Sequence, residues 1–451
     1  MYKAYITTLT NVRKHPNADK LLLADVFGNT VCVSTDYAAG EIGVYFPADG
    51  QLSVEFAEQN NLVRKKDDAS NNIGGYLEPD KRNIRAIRLR GEKSDGLFLP
   101  LSCLYYTGVD FDTLNVGDVI EGTVNGHEIC CKYIPRSNSS NRRNQPAGNR
   151  TRKHKVPTAP LFKEHADTEQ LAYNLSAFKP GDEIEITLKM HGTSQRTGYL
   201  PVLKGYKRTL MDKILRREGK PIYDWGYVSG TRRTVLEDFE GGYYGSNAFR
   251  EAHSKFFEGK LWKGETIYYE VVSFTNDGTP IMGKAKVPKE AQKEYGNEMV
   301  FHYGLSKNSD IYVYRMTMTN PDGEVVEYTP DFMRYRCEQI AVKTVPVFGK
   351  AILSEDRLHF VAPDGYDHDY LIGDGTLGDL VMKVAEEFYD GPDPIGKTHI
   401  REGVVVRIVN RPKFCAYKHK NFSFKVLEGI IKDTADTPDM EEAQEIAEND
   451  N

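Results

Sequence analysis

The sequence lacks the features that mark membrane and secreted proteins. It has no apolar run of about 18 residues or more, the length that a membrane-spanning helix needs. Its first residues, MYKAYITTLT, show no basic segment followed by an apolar one, so we expect no signal peptide. The six cysteines contain no C-x-x-C pair. We therefore expect small buried thiols, no cysteine zinc site and a reducing, cytoplasmic location.

Acidic residues are missing from one stretch of the chain, and basic residues from another. Between Ile129 and Lys163 there is no Asp or Glu, and Lys and Arg lie among Ser, Asn, Gly and Pro. Such a composition cannot bury enough apolar surface to order itself. A solvated linker and a linker that also contacts phosphates are both compatible with it. After Lys432 there are many Asp and Glu but no Lys or Arg, which predicts a disordered or weakly helical tail.

The rest of the chain divides into two folded parts, as its 451 residues allow. The N-terminal part has short β-forming runs between Gly, Pro and Asp turns, which favours a small barrel or sandwich. The larger part mixes alternating strand patterns with helical segments at 208–218, 330–342 and 377–389, and it predicts an α+β fold. We expect the boundaries 1–130, 131–160 (basic linker), 161–432 and 433–451 (acidic tail).

One lysine stands at the end of an alternating strand pattern. In DEIEITLKMHGTS (182–194) the apolar residues share one strand face, and Lys189 falls on the polar face. Gly192 follows in a turn, where glycine allows close approach of the backbone to a ligand or a positive φ. A lysine there can hold a phosphate, or attack one once desolvation or neighbouring cations favour its uncharged form. K-x-x-G also occurs by chance, so an ordinary surface lysine is the alternative.

The segments that follow make phosphate chemistry more specific. They are IYYEVVSF with Glu270, DIYVYRM with Tyr312 and Tyr314, REGVVVRI with Glu402, and AYKHKNFSFK with Lys418 and Lys420. An aromatic side chain can stack on a base, and carboxylates can bind ribose hydroxyls or a divalent metal. Paired lysines on one strand face can neutralise an α-phosphate and stabilise the transition state of its transfer.

In this order the segments resemble the motifs of the covalent nucleotidyltransferase superfamily, which comprises RNA ligases, DNA ligases and mRNA capping enzymes. KMHGTS (189–194) is similar to the nucleophile motif, in the form seen in nick-sealing RNA ligases. SGTRR (229–233) matches the next motif, whose arginine contacts nucleotide or RNA, without deciding between Arg232 and Arg233. The resemblance implies that Lys189 attacks ATP and forms lysyl-AMP, with Mg²⁺ or Mn²⁺ as the metal.

The resemblance also implies roles for later residues. Glu270 is expected to bind the ribose of ATP, and Tyr314, rather than Tyr312, to stack on its base. Glu402 is expected to be a metal ligand within the same ATP and AMP site, to which Gly192 also belongs.

Lys418 and Lys420 match the paired-lysine motif of the superfamily, and Lys425 is a less favoured member. DNA ligases and capping enzymes carry a C-terminal OB-type domain after this motif, and one group of RNA ligases carries a helical domain. The residues after Lys420 are too few for either, and most belong to the acidic tail. This departure favours an RNA ligase.

The N-terminal block resembles an OB-fold of the tRNA-binding type, which some aminoacyl-tRNA synthetases carry. HPNADKL (15–21) and RLRGEKSDGLFLP (88–100) match its two hallmark segments. Arg85, Arg88 and Arg90 are expected to supply a basic face for nucleic acid, with Arg88 and Arg90 on one strand face. The alternative is a purely structural segment, with Asp19 capping a turn and His15 exposed.

An N-terminal OB module, a linker and a bare nucleotidyltransferase domain form the layout of the Deinococcus-type RNA ligase family. The resemblance therefore implies an RNA-repair ligase that seals 3′-OH/5′-phosphate nicks in duplexes whose 3′-OH strand is RNA. We expect a monomer without a membrane partner. Two alternatives stay open: a GTP-using capping-type guanylyltransferase, and a non-catalytic RNA-binding protein on a ligase scaffold.

Overall fold

The computed structural model describes residues 2–65, 74–134, 156–166, 168–215, 219–236, 239, 246–287 and 292–433. The fold is mixed α+β, and its sheets consist almost entirely of antiparallel strand pairs. The described chain forms two compact units, one of the residues up to 134 together with Phe422–Asp433 and one of the residues from 156 to 421. Most of the predicted basic linker and nearly all of the predicted acidic tail lie outside the described residues.

The first unit contains short strands, two α-helices, α1 (Val54–Gln59) and the C-terminal α7 (Phe422–Asp433), and 3₁₀ helices at Leu101–Thr107 and Phe111–Thr113. Its strands are β1 (Ala4–Thr8), β2 (Thr10–Lys14), β3 (Leu21–Val26), β4 (Asn29–Ser34), β5 (Ile42–Phe46), β6 (Gly50–Leu52), β7 (Ala86–Leu89), β8 (Glu92–Asp95), β9 (Leu97–Pro100), β10 (Val119–Ile120), β11 (Thr123–Val124), β12 (His127–Glu128) and β13 (Cys130–Lys132). Short strands between turns agree with the sequence pattern of this part.

The strands of the first unit form several small sheets around one apolar core. The largest sheet has the strand order β10-β1-β5-β9, and β2-β3-β4 form a second one. Ile6, Val44 and Phe46, which alternate with other residues along their strands, are 0% exposed and pack with Phe56 of α1. Within the described residues these sheets do not close into one barrel. The OB barrel therefore stays a prediction.

The second unit contains the longer strands and most of the helices. Its helices are α2 (Leu210–Ile214), α3 (Ala248–Phe256), α4 (Gln292–Tyr295), α5 (Pro330–Ile340) and α6 (Leu377–Glu386). Its strands are β14 (Glu169–Gln170), β15 (Glu183–Leu188), β16 (Thr193–Lys207), β17 (Lys220–Gly230), β18 (Val235–Leu236), β19 (Glu265–Ser273), β20 (Lys284–Lys286), β21 (Glu298–Val300), β22 (Ser309–Thr319), β23 (Val325–Glu327), β24 (Val347–Leu353), β25 (Arg357–Val361), β26 (Asp367–Leu371), β27 (Gly403–Ile408) and β28 (Cys415–Lys420).

Two sheets form the body of the second unit. One has seven strands in the order β14-β28-β27-β15-β24-β25-β26, and the other has six in the order β18-β17-β16-β19-β22-β23. The chain passes from the first sheet to the second between β15 and β16, through residues 189–192. The predicted nucleophile segment is therefore the crossing between the two sheets.

Capping residues fix the ends of the longer helices. The Thr376 side chain accepts from the Asp379 N–H, and the Asp379 side chain accepts from the Thr376 N–H, a capping box that starts α6. Helix α5 starts with Pro330 after the N-cap Thr329. Both helices lie within their predicted segments. Helix α2 is shorter than predicted, and residues 216–218 of that segment lie outside the described chain.

The cysteines are all free thiols. Burial raises the pKa of Cys103, Cys130 and Cys337 to about 12, which agrees with small buried hydrophobic residues. Cys131 is exposed and does not fit that expectation. Among the described residues, no helix has the length and apolar character needed to cross a membrane.

Candidate active site

Lys189 lies where the chain leaves the seven-stranded sheet. Strand β15 lies between β27 and β24 in this sheet. The Lys189 N–H donates to the Gly403 carbonyl oxygen of β27 at 3.0 Å, one residue beyond the end of β15. Gly403 in turn lies opposite Lys420 of β28. Lys189 and Lys420 therefore lie on either side of Gly403, at the start of β27.

Glu402, the residue before β27, joins the two lysines. Lys189 Nζ lies 2.7 Å from Glu402 Oε1, and Lys420 Nζ lies 3.3 Å from the same oxygen. The other carboxylate oxygen, Oε2, lies 3.2 Å from His191 Nδ1. The Glu402 side chain is only 3% exposed. Two lysines and a histidine from two segments, 189–191 and the end of β28, thus surround one buried carboxylate.

The surroundings of Glu402 keep its carboxylate charged. Burial alone would raise the pKa of this carboxyl, but Lys189, Lys420 and the His191 side chain together lower it well below its ordinary value. Glu402 is therefore negative at neutral pH. His191 is a contact that the sequence argument did not assign, although it stands inside the nucleophile motif.

Two glycines permit the close packing around this cluster. A Cβ on Gly192 would collide with the Val271 carbonyl oxygen and lie 2.9 Å from Glu270 Cγ. The φ of Gly192 is not positive. Close approach to β19, rather than an unusual φ, therefore explains this glycine. Gly403 has φ +146°, and a Cβ there would collide with the His419 carbonyl oxygen on β28.

A polar row crosses the six-stranded sheet next to the cluster. Ser194 of β16 pairs with Glu270 of β19, and Glu270 pairs with Tyr312 of β22. Glu270 is the one half-buried residue of β19, and every other residue of that strand is buried. Tyr312 is 6% exposed and packs in an apolar cluster with Leu188. The row therefore presents one carboxylate within an otherwise buried strand.

A β-bulge on β22 sets the position of Tyr314. Val313 lies opposite Tyr269 and Arg315 lies opposite Tyr268, so Tyr314 is the extra residue of the bulge. Its hydroxyl lies 2.9 Å from the Ser194 hydroxyl. Tyr314 is half-buried, whereas Tyr312 is buried. Of the two predicted stacking residues, Tyr314 is the more accessible.

The predicted arginine motif lies in the turn that follows β17. Arg232 is half-buried and Arg233 is exposed. Arg196, which the sequence argument missed, holds this turn from inside and is 1% exposed. It donates from Nε to the Thr231 carbonyl oxygen at 2.9 Å and from Nη2 to the Arg233 carbonyl oxygen at 3.2 Å. Its sequence signal is a charged residue in the otherwise uncharged first part of β16, residues 193–203.

The paired lysines occupy alternate positions of β28. Lys418 lies opposite Val405 of β27, and Lys420 lies opposite Gly403, so both side chains leave the same strand face. Lys425, the less favoured member, belongs instead to α7 in the first unit. Its Nζ lies 2.6 Å from Asp95 Oδ2.

In the first unit, His15 joins the two hallmark segments. It is 1% exposed, so the exposed position expected for His15 in the structural alternative is wrong, while a structural role of the segment stays open. Its Nδ1 accepts from the Asn17 N–H at 3.0 Å, and its Nε2 lies 3.1 Å from the Leu89 carbonyl oxygen. Both ring nitrogens are therefore used to fix one segment on the other.

The three predicted nucleic-acid-binding arginines, Arg85, Arg88 and Arg90, are all exposed. Strand β7 ends at Leu89, and Arg90 and Gly91 form a two-residue turn with φ values of 48° and 95°. Positive φ at both positions is typical of the type I′ turns of β-hairpins. Arg90 therefore lies in the turn and does not share a strand face with Arg88.

Glu402 is the residue of the cluster best suited to a divalent cation. Its carboxylate is buried and charged, and hard cations prefer oxygen ligands. Nowhere in the described part of the chain do three or more His, Cys, Asp or Glu side chains group so that they could hold a metal. A cation at Glu402 would therefore need further ligands from a nucleotide and water.

No family model and no curated protein matches the sequence. Solved structures match in fold. An RNA ligase of Naegleria gruberi with pyrophosphate is similar, with TM-score 0.52 and 16% identity over 93% of this chain and 97% of that one. A mutant of that ligase with ATP and Mn has TM-score 0.54 and 17% identity over 96% and 99%. A mutant with AMP and Mn has TM-score 0.52 and 17% identity over 94% and 97%.

Proposed function

We propose that the chain is an ATP-dependent RNA ligase with Lys189 as its nucleophile. The observation that carries the proposal is the contact of Lys189 and Lys420 with one buried carboxylate, Glu402, at 2.7 and 3.3 Å. Residues directly after Lys189 then pack against the strands of Glu270 and Tyr314. A nucleophile, phosphate-neutralising lysines, a carboxylate and an aromatic ring are thus near one another, as nucleotidyl transfer requires.

In the first step the Lys189 nitrogen bonds to the α-phosphorus of ATP. The bond from that phosphorus to the bridging oxygen breaks, and its electrons leave with pyrophosphate. The nitrogen keeps one hydrogen and releases its other protons to solvent. Lys418 and Lys420 neutralise the phosphate oxygens as charge moves onto them. A Mg²⁺ or Mn²⁺ ion held with the help of Glu402 would reduce the repulsion between the phosphates and the attacking group.

The next two steps use the same site. AMP passes from Lys189 to the 5′-phosphate of a strand, and an adjacent 3′-OH then attacks that phosphate and expels AMP. Glu270 binds the ribose hydroxyls, Tyr314 stacks on the base, and Arg232 or Arg233 contacts nucleotide or RNA. The Naegleria ligase structures contain ATP, AMP, pyrophosphate and Mn, which supports this chemistry on the shared fold.

The proposed substrate is a nicked duplex whose 3′-OH strand is RNA, sealed in RNA repair. The first unit is proposed to be an OB-type domain that binds this duplex. The packing of its two hallmark segments through His15 and the exposed Arg85, Arg88 and Arg90 support that role. The basic segment 131–160 adds positive charge between the two units in the sequence.

Labelling with ATP or GTP labelled at the α-phosphate, in the presence of Mg²⁺ or Mn²⁺, tests the nucleotide chemistry. The proposal expects covalent label from ATP only. Label from GTP alone would favour a capping-type enzyme, and no label from either would favour a non-catalytic protein. A panel of nicked duplexes with ribose or deoxyribose on each side of the nick then tests the substrate, and sealing should require a ribose 3′-end.

A further inference from the structure

His165 lies between two parts of the proposed nucleotide site. Its ring is 5.2 Å from that of Tyr314, 5.5 Å from that of Tyr268 and 5.4 Å from that of Phe414, measured between ring centroids. Its backbone N–H donates to the carbonyl oxygen of Arg232 at 3.1 Å. A single residue thus connects the proposed base-stacking tyrosine with the arginine turn.

The hydrogen bonds of His165 fix the position of its ring proton. Arg315 Nη1 lies 3.0 Å from His165 Nδ1. A guanidinium can only donate, so Nδ1 accepts, and in the neutral ring the proton must be on Nε2. Arg315 is itself held in place, because its Nε lies 3.0 Å from Glu327 Oε2 and its guanidinium stacks over Tyr268 at 4.5 Å.

The same surroundings keep His165 neutral. Its side chain is buried, and burial together with the charges of Arg315, Arg232 and Arg196 lowers its pKa well below the ordinary value. Within the described residues no group forms a hydrogen bond with Nε2. A fixed neutral N–H donor therefore lies beside Tyr314.

We propose that His165 recognises the adenine base of ATP, donating from Nε2 to a ring nitrogen of the base that stacks on Tyr314. This inference rests on the proposed function and adds a specificity residue to it. A site built around such a donor rejects a ligand that lacks the matching acceptor, because the buried N–H is then left unpaired. His165 lies outside every motif of the sequence, and only the fold brings it to this site.

Lysyl-AMP formation with modified nucleotides tests the contact. The full chain and its His165→Phe variant are each compared with ATP and with three analogues in which N1, N3 or N7 of adenine is replaced by C–H. We expect His165→Phe to raise the KM for ATP about tenfold, and one analogue to raise the KM of the unmodified chain similarly. That analogue should have no further effect on the variant, because the bond is already lost.

Two further variants keep the test decisive. His165→Gln retains an N–H donor and should recover part of the ATP affinity and of the analogue sensitivity, even if the phenylalanine variant folds poorly. His253→Gln is a matched control, because His253 is half-buried, its Nε2 lies 2.7 Å from Ser309 Oγ and burial lowers its pKa to about 4. It should leave the analogue profile unchanged.

The possible failures can be told apart. An unmodified chain that takes no label from ATP would overturn the ligase proposal and this inference with it. A labelled chain whose analogue penalties are the same in the His165 variants would overturn the inference alone. In that case His165 would only support the Tyr314 ring.

Discussion

The charged residues of the two units are arranged in opposite ways. In the second unit Lys189 lies far along the chain from Glu402 and Lys420, and the three side chains are only 22%, 3% and 16% exposed. In the first unit the three predicted nucleic-acid-binding arginines, Arg85, Arg88 and Arg90, lie within one short segment, and all three are exposed. A buried charge needs specific partners, so the fold must bring them together, whereas exposed cations need only to lie near one another. The first arrangement suits chemistry, and the second suits binding to a phosphate backbone.

The buried histidines show the same contrast. His15 in the first unit uses both ring nitrogens for contacts with the backbone of its own unit. His165 in the second unit has Nδ1 bonded to Arg315, and no described residue bonds to its Nε2. Burial alone therefore does not distinguish a structural histidine from one that can meet a ligand. The two kinds of histidine differ in the number of ring nitrogens that the fold itself uses.

The largest effect is expected for Lys189→Ala, a variant that separates the covalent step from the sealing step. Lys189→Ala should abolish label transfer from ATP and the sealing of a 5′-phosphate nick, because no other group forms lysyl-AMP. It should still seal a nick whose 5′ end is already adenylated, since that step does not use the lysine. Lys383→Ala, an exposed lysine of α6, serves as the control. Loss of both reactions would indicate a collapsed site rather than a missing nucleophile.

The paired lysines are expected to have the next largest effect. Lys420→Ala and Lys418→Ala should each slow lysyl-AMP formation about 100-fold, because each removes a positive charge from the phosphates in the transition state. Lys420 Nζ lies 3.3 Å from Glu402 Oε1. Lys425→Ala should leave the rate unchanged, because Lys425 pairs with Asp95 in the first unit. A large effect of Lys425→Ala on this rate would contradict the assignment of the pair to β28.

Glu402→Gln tests the buried charge through stability. The lowered pKa of Glu402 means that its carboxylate stabilises the fold above the ordinary glutamate pKa of about 4.3 and loses that effect as the pH falls. We expect the variant to lower the free energy of unfolding by up to about 3 kcal/mol at pH 7. The difference should stay constant down to about pH 4.3 and shrink as the pH falls further below that value. Chemical denaturation at several pH values on both sides of it measures the difference, with the exposed Glu355→Gln as control. A difference that does not shrink in the acidic range would argue against the charged contact.

The smallest effect is expected in the first unit. Arg88→Ala should weaken nicked-duplex binding a few-fold and reduce the slope of log K against log salt by about 0.9 for one lost phosphate contact. Lysyl-AMP formation should not change. Arg64→Ala removes the same charge from another exposed position of this unit, where Arg64 pairs with Glu78 at 2.6 Å. Equal salt slopes for all three proteins would mean that the hallmark segment does not contact phosphates.

The sequence predicted some parts of the site and not others, for physical reasons. Strand alternation placed Lys418 and Lys420 on one face, because side-chain direction in a strand depends only on local position. It also placed Arg90 on the strand face of Arg88, but a turn with two positive φ values ends β7 before Arg90. The bulge at Tyr314 and the cage around His165 depend on strands far away in sequence. No local pattern encodes such contacts.

The central claim is that Lys189 forms a covalent bond with AMP. Incubation of the full chain with ATP and Mg²⁺ or Mn²⁺, followed by intact-mass measurement and peptide fragmentation, tests it directly. We predict a mass increase of one adenylyl group that maps to Lys189 and disappears when pyrophosphate is added back. An unmodified mass, or an adenylyl group on another residue, would contradict the account.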